Sequence, residues 1–414
     1  MGPMTGAAAD AAPAALAAGT EVAAAPPLRI LYSFADTLGA PGIGTTAWSQ
    51  ARGLAALGHD VRIWCTAVAR DVPGARKVAT TLTVAGRRIP HRALGRRRAY
   101  RYHDRRVARA LRALAGEVDI VHCWPRATLA TAAAARAAGA VSVREAPNTH
   151  TAFAYERVAE ETARLGLAPP PGHSHTADAE ALELEEREYA AVDAVGVPSE
   201  FSRATFLARG VPPERLGLHQ YGFDPDRFPA PEPDRGRAPD GGLRALFVGR
   251  CEPRKGLHHA LDAWLASGAA ERGSFTICGD FYPGYDDALA DRLAHPSVTV
   301  KGFVPDVAAL MRASDVLLLP TVEEGSALVT YEAQASGCVL VVSDAAGARC
   351  VHLEGGLVHP AGDLETLTEH LRLLDRDPGL LARLRAETLA RRDELTWEQG
   401  ARDLERHYRE LLAR

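Results

Sequence analysis

The sequence alternates between strand-like and helix-like segments, and this alternation lapses once, near the middle of the chain. It begins with LRILYSF, AWSQARGLAALG and HDVRIWC, and it starts again at LRALFVG. Between the halves, residues 222–242 are so rich in proline, glycine and charge that no packed element is expected. Strands alternating with helices form parallel sheets covered by helices. We therefore predict two doubly wound α/β domains, at 28–221 and 243–414, joined by this linker and facing each other across a cleft.

Length, charge and cysteine content limit the number of domains, the class of partner and the cellular compartment that we expect. The 414 residues suffice for two such domains, and a formal net charge of −4 gives no reason to expect nucleic acid as a partner. Six cysteines stand singly, which is typical of a reducing compartment and not of a disulfide framework or a zinc site. Residues 1–27 form an Ala/Pro tract that we expect to be a disordered tail. No apolar run approaches about 18 residues, so we expect a cytoplasmic protein without a membrane span.

Two glutamates follow one strand of the second domain. DVLLLP and the segment PTVEEGSALVTYEAQASG predict a buried strand, a loop that holds Glu324 and a helix that holds Glu332. With Ser326 as the N-cap, Glu332 would lie about 9 Å along the helix. A helix N-terminus suits an anion and the carboxylates suit hydroxyls, so the pair fits a ligand that is part phosphate and part polyol. Alternatively, Glu324 only favours the helix dipole and Glu332 is solvated.

A basic turn follows another strand of the same domain. In FVGRCEPRKG, Arg250 and Lys255 bracket the turn, and the only other lysines of the chain are Lys77 and Lys301. A guanidinium and an ammonium directed at one place suit a diphosphate. A basic turn alone is more often solvated. Its position on the same sheet edge as the two glutamates favours the binding interpretation.

These segments resemble the family 4 glycosyltransferases of GT-B architecture, from about Leu28 to the end of the chain. The segment from Glu324 to Glu332 is similar to the family's E-x7-E signature, and Arg250 and Lys255 are similar to its arginine–lysine pair. GFVPD at 302–306 is similar to the family's segment that precedes the pocket for the nucleotide base. The resemblance implies two Rossmann-like domains, the first binding the acceptor and the second the nucleotide sugar. It also implies a hexosyltransferase-type enzyme that moves a sugar to a hydroxyl acceptor with retention. The Asp-x-Asp pairs of the chain, Asp224 with Asp226 and Asp375 with Asp377, fall in the linker and in a helix connection, so we expect no metal or other cofactor.

The resemblance assigns residues to parts of the donor. Arg250, Lys255 and Gly44 would hold the diphosphate, Glu332 the ribose, main chain near Phe303 and Val304 the base, and Glu324 the sugar together with the loop of Gly325, Ser326, Ala327 and Leu328. The family commonly has glycine where this chain has Ala327, so the resemblance does not name the donor. Two other functions stay open, a nucleotide-sugar epimerase or hydrolase on the same fold and a non-catalytic nucleotide-sugar binder.

The first domain contributes a glycine-rich loop and a histidine. Gly42 and Gly44 match part of a dinucleotide fingerprint, but they follow their strand too distantly, so an NAD-linked dehydrogenase is a remote alternative. We favour a glycine-rich loop at the cleft, and a purely structural turn stays open. A lone histidine is usually structural. In family members, however, a histidine in a similar strand-end context contacts the donor sugar, which makes His150 the catalytic candidate and His122 its substitute.

An arginine-rich segment predicts a cationic amphipathic helix in the first domain. Side chains at helical spacing form its apolar face, namely Tyr100, His103, Val107, Leu111 and Leu114. Through residues 86–112 the domain would contact an anionic membrane or a phosphorylated acceptor. The alternatives are a solvated helix and pairing with the acidic run at 182–189. We also expect the Pro/His loop at 169–176 to line the acceptor side and the last helix to pack back on the first domain.

Overall fold

The computed structural model describes residues 25–84, 87–89, 95–169, 173–231 and 241–414. Most of the predicted tail lies outside the described residues, as do parts of the linker at 222–242 and of the segments 86–112 and 169–176. Within the described residues, the chain forms two seven-stranded parallel sheets with flanking helices, as the alternation predicts. None of the described helices is both long enough and apolar enough to cross a membrane.

The first domain contains one of these sheets. Its strands are β1 Arg29–Leu38, β2 Asp60–Val68, β3 Lys77–Thr80, β6 Ile120–Cys123, β7 Val141–Glu145, β8 Ala194–Val197 and β9 Leu216–Leu218, and a separate short hairpin pairs β4 Thr83–Val84 with β5 Arg87–Arg88. The strand order is β3-β2-β1-β6-β7-β8-β9. The helices are α1 Ile43–Ala56, α2 Arg96–Ala113, α3 Leu129–Ala138, α4 Thr151–Arg164, α5 Ala179–Ala191 and α6 Glu200–Leu207.

The second domain repeats the architecture. Its strands are β10 Arg244–Val248, β11 Ser274–Cys278, β12 Val298–Gly302, β13 Val316–Leu319, β14 Val339–Ser343, β15 Val351–His352 and β16 Gly355–His359. The strand order is β12-β11-β10-β13-β14-β16-β15. The helices are α7 Leu257–Ala266, α8 Tyr285–Ala288, α9 Ala290–Leu293, α10 Ala308–Ala313, α11 Leu328–Ala335, α12 Leu364–Arg376, α13 Pro378–Ala390 and α14 Trp397–Leu412.

The central strands of the second domain explain why its loops face the cleft. Every residue of β13 and β14 is buried, because helices cover both faces of the sheet. A parallel sheet directs the carboxyl ends of its strands to one edge. The loops that follow β10 and β13, which carry the predicted donor residues, therefore lie side by side at that edge.

Helix α2 contains the described part of the arginine-rich segment. Its buried side chains include His103, Val107 and Leu111, as the helical spacing predicts. Arg97 pairs with Asp178 at 3.0 Å and with Glu180, at the start of α5. The acidic partners thus lie just before the run at 182–189, and they neutralise one of the exposed arginines of this helix.

The last helix, α14, packs on the first domain. Leu404, Tyr408 and Leu411 belong to the buried apolar cluster that also contains side chains of β1 and α1. The Tyr408 hydroxyl lies 2.8 Å from Nδ1 of His122. His122 is fully buried in this contact, so the substitute catalytic candidate lies inside the domain core.

Candidate active site between the two domains

A buried guanidinium joins the loops after β10 and β13. Arg254, in the short turn 253–255, donates to Oε1 of Glu324 at 2.6 Å, to Oε1 of Glu252 at 2.9 Å and to the carbonyl oxygen of Glu323 at 3.0 Å. Burial acts to lower the pKa of Arg254, but the three surrounding carboxylates raise it above its usual value. The arginine is therefore permanently charged and holds the two loops in one arrangement.

Lys255 and Glu324, which the sequence predicts to be in one site, are in direct contact. The ammonium nitrogen of Lys255 bonds the same Glu324 oxygen that Arg254 contacts. Burial acts to raise the pKa of Glu324, but these two cations hold it below its usual value. Sequence reasoning missed Arg254, although it precedes Lys255 directly, and selected Arg250. The Arg250 side chain is exposed and has no hydrogen bond or ion pair within the described part of the chain.

Glu332, on α11, differs from the other acids of the site. Its side chain is partly buried, and among the described residues its carboxylate has neither a hydrogen-bond partner nor an ion-pair partner. Burial raises the pKa of Glu332 to about 7, and the charge of Arg227 offsets this only in part. A desolvated carboxylate without a partner is costly unless a ligand supplies the missing hydrogen bonds.

The N-terminus of α11 differs from its predicted form. Ala327 occupies the N-cap position, and the helix has no side-chain cap. The hydroxyl of Ser326 instead donates to the carbonyl oxygen of Gly347 at 2.8 Å and lies 2.9 Å from the Tyr331 hydroxyl. The prediction of Ser326 as the N-cap was therefore wrong, because these two partners hold its side chain away from the helix start. Ala327 has a φ of −69°, so the alanine causes no backbone strain there.

Two glycines of the predicted site have steric roles. A Cβ on Gly325 would lie 2.0 Å from the carbonyl oxygen of Pro147, which belongs to the first domain. Only glycine allows the two domains to approach this closely. A Cβ on Gly44 would lie 2.5 Å from the carbonyl oxygen of Thr37, so that position also requires glycine. The predicted contact of Gly44 with a diphosphate stays a prediction.

The predicted base contacts lie after β12. Phe303 is 71% exposed, which is unusual for a phenyl group, and Val304 packs partly against the core of the second domain. An exposed aromatic face at a strand end is a suitable platform for a planar ring. The assignment of these residues to a nucleotide base stays a prediction.

His150 lies inside the first domain and not on the cleft surface. Its side chain is fully buried, its Nδ1 accepts a hydrogen bond from the backbone N–H of Ala152 at 3.3 Å, and its ring packs between Tyr189 and Phe206. Its Nε2 lies 3.4 Å from Glu186. Burial lowers the pKa of His150, which favours the neutral form of the ring. His150 is also the N-cap residue of α4. Its predicted contact with a donor sugar stays a prediction.

The residue before His150 reaches the second domain instead. Thr149 donates to Oε1 of Glu323 through its hydroxyl at 2.6 Å and its backbone N–H at 3.2 Å. Two histidines from the described end of the Pro/His loop make similar contacts, His173 with Glu252 at 3.2 Å and His175 with Glu323 at 3.5 Å. Burial lowers the pKa of His175 to about 4. Sequence reasoning could not find these contacts, because each pair is far apart in the chain.

A cavity of about 280 Å³ opens at the carboxyl ends of the first-domain strands. Its polar lining includes Asp36, Arg96, Tyr100, Arg126, Arg144, Asn148, Thr149, Thr151, Ser174, His175 and Glu185. Arg126 has a φ of 74°, which is rare for a residue other than glycine and is often found at functional sites. Arg144 is fully buried and paired with Glu185 at 2.8 Å and Glu188 at 3.1 Å. Arg126 lies 3.7 Å from Glu185 and therefore offers the less closely paired guanidinium.

Two family models match the chain. The model of Glycosyltransferase Family 4 matches residues 41–227, and the model of Glycosyl transferases group 1 matches residues 242–377. One match falls in each of the two domains described above. The chain belongs to the family 4 glycosyltransferases. Membership in this family favours sugar transfer over the two alternatives, donor processing without an acceptor and binding alone.

Relatives of this glycosyltransferase extend over nearly the whole chain. The D-inositol 3-phosphate glycosyltransferase of Frankia alni is 28% identical over 408 residues, covering 90% of this chain and 95% of that protein. Sucrose-phosphate synthase from Thermosynechococcus elongatus superposes with a TM-score of 0.67 at 20% identity, covering 93% of this chain and 99% of that one. HepE from Anabaena, solved in complex with UDP, superposes with a TM-score of 0.60 at 17% identity, covering 92% and 100%. These likenesses confirm the predicted GT-B fold.

Proposed function

We propose that this glycosyltransferase moves a hexosyl unit from a nucleoside-diphosphate sugar to a hydroxyl acceptor, with retention of configuration and without a metal. The observation that carries the proposal is Glu332, a partly buried carboxylate without a partner among the described residues, beside a loop held by Arg254 and Lys255. Ribose hydroxyls would donate the hydrogen bonds that Glu332 lacks. The complex of HepE with UDP supports the choice of donor class.

Positive charge at the site supports a metal-independent reaction. The donor diphosphate gains negative charge as the sugar leaves, and fixed cations stabilise that charge without having to reorganise. Lys255 is held by Glu324, which leaves two of its three N–H groups for phosphate oxygens. Arg250 is exposed without a protein partner among the described residues and would add a second, planar donor set. These side chains take the role that a divalent cation has in metal-dependent transfer.

The acids that contact Arg254 do not supply an obvious base, and Glu332, whose pKa is raised to about 7, is assigned to the ribose. Glu252, Glu323 and Glu324 all contact Arg254, and burial acts to raise the pKa of Glu252 while His173 and the nearby cations hold it well below its usual value. Glu252 and Glu324, whose pKa values are lowered by these contacts, bind protons weakly. In the reaction that we propose, the acceptor oxygen attacks the anomeric carbon on the face that the diphosphate leaves. A phosphate oxygen of the departing nucleoside diphosphate takes the acceptor proton, which is compatible with retention.

The cavity of the first domain is the proposed acceptor site. Its lining offers both hydrogen-bond donors and acceptors, as a polyol requires, and it lies on the cleft side of Thr149. The name of the Frankia alni relative supports a polyol acceptor that carries a phosphate group. Arg96 and Arg126 would then meet the phosphate. Arginines of α2 would add peripheral contact with an anionic membrane or a phosphorylated acceptor through residues 86–112.

Calorimetric titration tests the donor site first. The protein is titrated with UDP, GDP, ADP and NAD, with and without magnesium, and then with the matching nucleotide sugars. We expect one nucleoside diphosphate to bind independently of magnesium, and Glu332→Ala and Lys255→Ala each to weaken that binding without unfolding the protein. Binding of NAD alone, or unchanged affinity in both variants, would refute the assignment. Adding inositol phosphate to the nucleotide sugar then distinguishes transfer from slow donor hydrolysis.

A further inference from the structure

Three metal-ligating groups from both domains meet at one point outside the donor site. Oε1 of Glu161, on α4 of the first domain, lies 2.7 Å from Nε2 of His258 and 2.7 Å from Nε2 of His259, both on α7 of the second domain. The ligand atoms of the three side chains all lie within 4.8 Å of one another. Two consecutive histidines of one helix are thus directed at a single carboxylate oxygen.

Neighbouring groups fix the orientation of these side chains. The Tyr285 hydroxyl lies 2.7 Å from Nδ1 of His258 and accepts the backbone N–H of the same residue at 2.9 Å. Oε2 of Glu161 accepts a hydrogen bond from Arg164 at 3.0 Å. The outer atoms of His258 and Glu161 are therefore occupied, and their Nε2 and Oε1 atoms remain directed inward. Neighbouring residues orient the ligands of protein metal sites in the same way.

We propose that Glu161, His258 and His259 form a binding site for a zinc-type divalent transition metal that joins the two domains. Two imidazole nitrogens and one carboxylate oxygen are the ligands that zinc prefers, and a water molecule would complete a tetrahedron. Magnesium prefers oxygen ligands, so this site is chemically distinct from any magnesium dependence of the donor site. Metal–ligand distances of about 2.0–2.2 Å require the three side chains to move apart by less than about 1 Å.

Binding of the metal requires only a change of tautomer at the two histidines, and no additional reactant is needed. Each neutral imidazole keeps its single ring proton by carrying it on Nδ1, and the lone pair on Nε2 then binds the metal. The Tyr285 oxygen accepts the Nδ1–H of His258 in that state. Glu161 and His258 are buried, whereas His259 leaves 16% of its side chain exposed, so that the metal can reach the site from solvent. Since the ligands come from both domains, the metal binds most tightly when the domains are together as described.

Metal titration of the full chain tests the proposal. The protein is freed of metal with a chelator and titrated with zinc chloride by calorimetry and with cobalt chloride by visible spectroscopy. We expect one site per chain, the absorption bands of tetrahedral cobalt(II) and no near-ultraviolet band from a thiolate, because none of the three ligands is a cysteine. Failure to bind either metal, or binding with a thiolate band, would overturn the proposal.

Variants identify the ligands. Glu161→Gln keeps a carbonyl oxygen that accepts from an imidazole N–H but is a poor zinc ligand, and His259→Ala removes one ligand. Each should weaken zinc binding by more than about 10-fold, since even loss of a residue that only orients a metal ligand has that effect. His352→Ala removes an exposed histidine elsewhere in the second domain and should leave the affinity unchanged. Equal affinity in Glu161→Gln, His259→Ala and the parent protein, with circular dichroism showing all three folded, would contradict the assignment.

Discussion

The hydroxyl of Thr149 in the first domain donates to a carboxylate oxygen of Glu323 in the second at 2.6 Å, and the backbone N–H of Thr149 reaches the same oxygen. Glu323 is fully buried by this contact and by Arg254. The two domains are therefore closed on each other in the described arrangement. Side chains that hold the second-domain loops also hold the first domain against them, which couples closure to the geometry of the donor site.

Gly325→Ala tests whether closure is needed for turnover. The added Cβ would lie 2.0 Å from the carbonyl oxygen of Pro147, so the domains cannot approach as closely as in the parent protein. We expect turnover to fall by about 100-fold, since a displacement of roughly 1 Å has that effect. Nucleotide binding should persist, and small-angle scattering should show a larger radius of gyration. Ala327→Gly, two residues along the same loop, is the matched control and should retain activity.

Arg254→Met should destabilise the protein strongly. It leaves Glu252, Glu323 and Glu324 together without their shared cation, and breaking a buried ion pair costs about 3–5 kcal/mol. Urea unfolding measures the change in the free energy of unfolding. Arg250→Met is the control from the same loop: since that side chain is exposed, stability should change by less than about 0.5 kcal/mol while nucleotide affinity falls. Equal stability of the two variants would contradict the structural role of Arg254.

The affinity for the nucleotide should depend on pH through Glu332. With its pKa raised to about 7, this group is protonated below that pH and ionised above it. A protonated carboxyl is a weaker acceptor for ribose hydroxyls, so affinity should rise as pH increases through about 7 and fall as pH decreases. Calorimetry between pH 5.5 and 8.5, a range of about 1.5 units on each side, measures this change. Glu332→Gln should abolish that part of the pH dependence, leaving only the titration of the phosphate itself.

Stability should decrease in mild acid because several histidines are buried in the neutral form. Burial lowers the pKa to about 4 for His122 and to about 3 for His359 and His407. Below pH about 6.5 the unfolded chain binds protons that the folded chain does not, so the free energy of unfolding falls as pH decreases towards 4. His219, whose pKa is raised by Glu145 despite burial, opposes this trend.

Thermal unfolding at several pH values between 7 and 4 measures this loss of stability. Removing a neutral buried ring should reduce the slope, and each unit of pKa difference corresponds to about 1.4 kcal/mol. His407→Gln is the test variant, and His352→Gln, at an exposed position, is the control. A slope that is the same in the parent protein and in His407→Gln would exclude His407 as a cause.

The fold was predictable because the strand and helix periods are strong, as in DVLLLP, every apolar residue of which is buried. The donor loops were predictable because parallel strands bring their carboxyl ends to one edge. The burial of Arg254 in place of Arg250 was not predictable, since the short turn between them decides which guanidinium points inward. The surroundings of His150 were not predictable either, because the sequence puts it at a strand end but does not show that it caps a helix.

Contacts between the domains could not be predicted from the sequence. Glu161 precedes His258 by 97 residues, and no local pattern relates them. The same is true of Thr149 and Glu323, which are 174 residues apart. Such pairs depend on the relative position of two separately folded sheets, which periodicity does not describe.

The return of α14 to the first domain means that the chain crosses between the domains twice. The two crossings run side by side, since the backbone N–H of Phe223 donates to the carbonyl oxygen of Leu395 at 3.0 Å and Gly222 lies against Thr396. Two adjacent crossings allow the domains to rotate relative to each other about one axis, and they resist twisting and sliding of one domain against the other. It also means that the first domain is not a self-sufficient unit, because a chain ending before α14 would leave part of its apolar cluster uncovered.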